Sequence, residues 1–186
     1  MAVIEAIQTT YLEADAASVE FDISSSPGNT YEHLQLRMNG ATDSTFFSGT
    51  YRDAALLYFN TSVVTSNSDY SQHAILARAT LKNAYATATQ HYWSAAGSMG
   101  TSKDAEYYGG AVVDILDYRN GSKNTSMMVL SGGTGPNSSG NTEFTISFNS
   151  GCWDNVAAVT KILLIPDLGS NFKRGSVFSL YGLNSS

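Results

Sequence analysis

The chain has 186 residues, a net charge of −6 and only 14% charged residues. That length suits one domain, 1–186, with one sizeable core, and an apolar fraction of 42% excludes a disordered chain. The densest basic spot is Lys173-Arg174, which excludes a general nucleic-acid or phosphate-binding role, since that needs clustered Lys and Arg.

Residues 1–15 read as an N-terminal arm, without the basic and apolar regions of a secretory signal. Val19 to Ile23 then alternates cleanly, with Val19, Phe21 and Ile23 on one face. Ser24 to Asn29 is a loop. His33 to Met38 alternates again and ends in the turn chemistry of Asn39-Gly40. Ala54 to Phe59 is apolar on both faces, as a central strand is. Ala74 to Ala79 is read as a strand, because Thr, Tyr and Trp surround it. Residues 82–108 read as a long insertion loop carrying Tyr85, Tyr92, Trp93, Tyr107 and Tyr108.

Gly109-Gly110 opens a strand from Ala111 to Tyr118, and Asn120-Gly121 turns it back into Ser126 to Leu130. Ser131 to Gly140 is a Gly/Ser loop. Glu143 to Phe148 alternates, predicting Phe144, Ile146 and Phe148 inward. Lys161 to Ile165 is a strand ended by Pro166, and Val177 to Leu183 is the last. Phe144, Ile146, Phe148, Ile162, Leu164, Phe178 and Leu180 are therefore expected in one core. The sum is an all-β, antiparallel, jelly-roll-like β-sandwich of about eight or nine strands.

The chemistry-bearing residues form no constellation. Asp114 and Asp117 lie three positions apart on one strand and point to opposite faces, unlike the paired carboxylates of a glycosidase. His33, His73 and His91 lack metal-ligand spacing. Gly132-Gly133-Thr134-Gly135 lacks the Lys-Ser/Thr of a phosphate loop and reads as a flexible turn. The single cysteine, Cys152, excludes an internal disulfide framework. No apolar run approaches a membrane span of about 18 residues. The expectation is a non-enzyme with no cofactor, no metal, no nucleic acid and no membrane. What remains is surface. Phe46, Phe47, Tyr85, Tyr92, Trp93, Tyr107 and Tyr108 are the candidate interface residues, because Tyr, Trp and Phe bury large area at low entropy cost.

Several motifs, in order, bear a family likeness. They are Tyr31-Glu32-His33-Leu34-Gln35-Leu36-Arg37, Leu57-Tyr58-Phe59-Asn60, Val113-Asp114-Ile115-Leu116-Asp117-Tyr118, Gly151-Cys152-Trp153 and Ala158-Val159-Thr160-Lys161-Ile162. The ending Asn171-Phe172, Gly175-Ser176 and Leu180-Tyr181-Gly182 closes the series. Together they resemble small jelly-roll-like virion proteins of tailed bacteriophages, over about Ala16 to Leu183. The resemblance implies a β-sandwich placed on the virion, with no enzymatic residues to carry over. It leads to the expectation of a capsid decoration (cement) protein, a homotrimer that binds the major capsid protein or other virion proteins and stabilises the head. The alternatives are a tail fibre or receptor-binding head domain, and a carbohydrate-binding β-sandwich that uses exposed Tyr and Trp.

Overall fold

The computed structural model describes residues 3–44, 53–60, 69–78, 81–90, 92–100, 107–136 and 142–184, and every regular element among them is a β-strand. In chain order these are β1 (Val3–Tyr11), β2 (Val19–Asp22), β3 (His33–Gly40), β4 (Asp53–Phe59), β5 (Tyr70–Arg78) and β6 (Leu81–Gln90). Then follow β7 (Trp93–Met99), β8 (Gly109–Leu116), β9 (Thr125–Pro136), β10 (Thr142–Trp153), β11 (Lys161–Pro166) and β12 (Val177–Asn184). An eight-stranded sheet has the order β1-β12-β3-β8-β9-β10-β5-β6, and a four-stranded sheet the order β2-β11-β4-β7. All neighbours pair antiparallel. The protein is an all-β antiparallel sandwich, as the alternation predicts.

The extra strands come from stretches of weak pattern. Val3–Tyr11 is not a free arm but an edge strand paired with β12. Residues 82–108 are not one long loop: β6 pairs with β5, and β7 pairs with β4 in the other sheet. Ala84, Ala86 and Ala88 alternate with Tyr85, Thr87 and Thr89, which gives too little apolar contrast to show period two. Backbone pairing, not side-chain pattern, makes that stretch a strand. Ser131–Pro136, expected in a loop, prolongs β9 against β10.

The core lies between the sheets. Leu34 and Leu36 of β3, Val113 and Ile115 of β8, and Phe178 and Leu180 of β12 meet Phe21, Leu57, Phe59, Trp93, Ile162 and Leu164 of the small sheet. Each such side chain contributes about 1.5–3 kcal/mol when removed from water. Four expected core residues, Ile162, Leu164, Phe178 and Leu180, are fully buried.

The other three are a correction. Phe144, Ile146 and Phe148 point away from the core and are exposed, while Thr145, Ser147 and Asn149 between them are buried. The parity of β10 is set at its far end. Trp153 is buried edge-on against Phe59, with ring centroids 5.4 Å apart. Because the side-chain period of a strand is two, anchoring Trp153 inward turns residues 149, 147 and 145 inward and 148, 146 and 144 outward. Tyr70, directly opposite Trp153, fixes β5 in the same way and turns His73 and Ile75 outward.

Candidate interaction surface

Directly opposed residues of an antiparallel pair share a face. On the outer face of the large sheet, Ile75, Phe148, Leu130 and Val112 form one row across β5, β10, β9 and β8. A second row is Ala77, Ile146, Gly132 and Gly110, and a third is His73, Ser150, Met128 and Asp114. Phe144 extends the face opposite Thr134. Seven large apolar side chains on this face are between 38% and 69% exposed. Phe148, Leu130 and Ile146 stand between two shallow grooves. One, of about 470 Å³, is lined by His73, Ile75 and Phe148 among others. The second, of about 690 Å³, lies over Gly110 and Gly132 and is edged by Val112, Phe144 and Ile146.

The apolar rows end in a polar border. Arg37 follows Val112 in the first row, and its guanidinium carbon lies 4.8 Å from the centroid of the Tyr181 ring. Arg37 Nε donates to Gln35 Oε1 at 2.8 Å, and Gln35 Nε2 donates to Asp114 Oδ1 at 2.8 Å. These bonds hold the border side chains down on β3, β8 and β12 and leave the apolar rows standing clear of them.

Beneath the face the interior is unusually polar. Ser131 and Ser147 share a hydrogen bond of 2.7 Å, and Gln72 Oε1 accepts from the Ser94 amide at 3.3 Å. Thr145 Oγ1 and Asn149 Oδ1 are buried without a hydrogen-bond partner among the described residues. A buried group left unsatisfied costs about 1–3 kcal/mol. Along β10 from Phe144 to Asn149 the apolar residues point to solvent and the polar ones to the interior. Such inversions of the local pattern are expected at functional surfaces.

Of the sequence-derived candidates, Tyr85 lines the groove beside His73, Ile75 and Phe148, and Tyr108 lines the groove over Gly110 and Gly132, while the other described ones lie elsewhere. Trp93 is wholly buried in the core. Tyr92 is half-buried on the outside of the small sheet with Leu56, Tyr58 and Leu163, its ring 6.5 Å from that of Tyr58. Burial pushes both phenols above their ordinary range. Tyr85 is opposite Ala74 on the edge strand β6 and is half exposed at the rim of the first groove. Tyr107 and Tyr108 are half-buried, and Tyr108 Oη donates to the Arg174 carbonyl at 2.8 Å. Phe46 and Phe47 lie outside the described residues. The residues the sequence reading missed are Ile75, Val112, Met128, Leu130, Phe144, Ile146 and Phe148. The strict alternation of Phe144-Thr145-Ile146-Ser147-Phe148-Asn149 was the visible signal. Counting its parity from Trp153 separates an outward stripe from a core one.

The titratable groups have separate partners. Asp117, held at a φ of 52° just past β8, binds Lys123, and this ion pair draws its carboxyl below the ordinary range. Its own amide donates to His33 Nδ1 at 3.0 Å. Asp114 engages Gln35 instead, so the two carboxylates do not meet. His91 lies outside the described residues, and among those described no cluster of three His, Cys, Asp or Glu side chains is placed to hold a metal ion. No described helix is long and apolar enough to cross a membrane. Comparison with known proteins finds no family model, no curated protein and no solved structure that matches the chain.

Proposed function

We propose that the protein is a non-enzymatic structural component of a bacteriophage virion, a head decoration protein whose partners are the major capsid protein and its own copies. One observation carries the reading: the outer face of the large sheet presents seven large apolar side chains at 38–69% exposure. At roughly 200 Å² for a large side chain, they leave on the order of 700 Å² of apolar surface, above the 300–600 Å² or so of the largest patch on a typical monomer. A face of that size is a surface that assembly covers. The motif resemblance to small virion proteins supplies the kind of assembly, and the net charge of −6 suits an outer position, away from packaged nucleic acid. The glycan-binding alternative uses exposed Tyr and Trp; both tryptophans, Trp93 and Trp153, are buried, which leaves it the exposed Tyr11 and Tyr85.

The test is copy number. Quantitative mass spectrometry of purified particles of the phage that carries the gene should find hundreds of copies per particle, at a fixed ratio to the major capsid protein. A few to tens of copies would move the protein to the tail, and none would remove it from the virion.

A further inference from the structure

We propose that a second copy of this chain covers the outer face of the large sheet. The two copies are related by a two-fold axis that runs parallel to the strands, midway between β9 and β10. The inference rests on reading that face as a covered surface and names its occupant, a two-fold pair in place of the homotrimer expected from the resemblance.

The area fits. A standard interface buries about 800 Å² per partner, and the exposed apolar side chains of this face account for on the order of 700 Å² before their borders are counted. The shape fits as well. Face-to-face packing of twisted sheets about 10 Å apart is the solution this chain already uses on its other side.

The rows decide the symmetry. A two-fold axis between β9 and β10 lays β10 of one copy over β9 of the other, and β5 over β8. Phe148 then faces the other copy's Leu130, from the same row of the register. Ile146 faces Gly132, which has no side chain, so the projecting residue enters the groove over the two glycines. The third row ends in exposed His73 on β5 and half-buried Asp114 on β8. The same axis brings each His73 opposite an Asp114 carboxylate, at both margins of the interface. An axis perpendicular to the strands would stack each strand on its own copy and would not join His73 to Asp114. Apolar residues thus meet at the centre, where no charge is buried, and opposite polar groups meet at the rim, as stable interfaces require.

Sedimentation equilibrium of the full chain tests this. The wild type should sediment at twice 19.9 kDa. Ile146→Asp should sediment as a monomer with an unchanged far-UV spectrum, because the side chain is solvent-exposed in the single chain. His73→Asp and Asp114→Lys should each weaken association at least about tenfold, and the double variant His73→Asp/Asp114→Lys should restore it to within about threefold of wild type. A wild-type monomer at about 50 µM, well above ordinary interface dissociation constants, overturns the proposal. So does a trimer, or a dimer indifferent to Ile146→Asp. A monomer present at hundreds of copies per particle overturns the two-fold but leaves the virion role standing, with the capsid lattice on this face. A dimer absent from particles does the reverse.

Discussion

The ring of Tyr31 lies against Gly182: a Cβ added to the glycine would sit 2.0 Å from the ring's Cδ2. Gly182 is the register partner of Glu5, and Tyr31 Oη donates to Glu5 Oε2 at 2.7 Å. The tyrosine therefore crosses β12 at its one residue without a side chain and fastens to the edge strand β1 beyond it. Gly182→Ala should force the ring off the sheet and destabilise the fold by about 1–3 kcal/mol, the usual cost of overpacking. The urea midpoint of the variant checks this, and an unchanged midpoint would mean that the ring moves aside without loss.

Two carboxylates hold the loop between β11 and β12. Asp53 Oδ1 accepts from the Leu168 amide at 2.8 Å and Oδ2 from the Gly169 amide at 2.9 Å. Asp43 accepts from the Ser170 and Asn171 amides and from the Asn171 side chain. Burial pushes the Asp43 carboxyl up, but these donors outweigh it and leave the group below its ordinary range. A depressed carboxylate stabilises the fold fully above its unfolded value of about 3.9, and that contribution fades as the pH falls through the lower folded value. Asp43→Ala should cost about 1.5–3 kcal/mol at pH 7, as loss of charge-assisted hydrogen bonds does. The difference from wild type should shrink below about pH 4, as unfolded carboxylates protonate. Denaturant titrations at pH 7 and in acid measure both, and an equal difference at the two would show that the charge is not involved.

Thr145 is buried with no partner for its hydroxyl among the described residues, although its neighbours Phe144 and Ile146 are exposed. Thr145→Val keeps the shape and removes the unsatisfied group, so it should raise stability by about 1 kcal/mol. Its thermal midpoint should therefore rise, and a fall would reveal a partner for the hydroxyl in solution. Leu36→Ala, at a wholly buried position on the apolar half of the same sheet, should cost about 2–5 kcal/mol.

That contrast also marks how far the sequence could be read. Ile162, Leu164, Phe178 and Leu180 belong to strands whose apolar stripe is the core stripe, so alternation alone places them. In β10 the stripe is equally clear, but its direction depends on Trp153 packing on Phe59, a contact between residues far apart in the chain. β6 was hidden for a different reason: its alanines and threonines carry no contrast, and its strand geometry comes from β5. Tyr85, Tyr92 and Trp93 share a stretch of sequence but not a surface, because β6 and β7 belong to different sheets. The apolar outer face draws on the consecutive strands β8, β9 and β10 and on β5, which chain order leaves remote from β10.

Tyr70 links the two sheets through a single hydroxyl. Its Oη accepts from the Phe59 amide at 2.8 Å, and its ring is buried 6.3 Å from that of Phe59. Tyr70→Phe leaves that amide without this acceptor and should cost about 1–3 kcal/mol at neutral pH. The alkaline limb carries a second signature. Burial pushes the Tyr70 phenol far above its ordinary value, outweighing the Phe59 amide bond that favours ionisation. The folded state therefore keeps this proton while the unfolded chain loses it near pH 10. The contribution is fully present below that value and is lost as the pH rises towards the folded one, at up to about 1.4 kcal/mol per pH unit for one proton. Tyr70→Phe cannot ionise, so its stability should fall less steeply than wild type between about pH 10 and 12. Tyr58 and Tyr92, also raised by burial, keep part of the slope in both proteins. Urea midpoints across that range decide it: parallel slopes would mean that Tyr70 ionises in the folded chain and is reached by solvent.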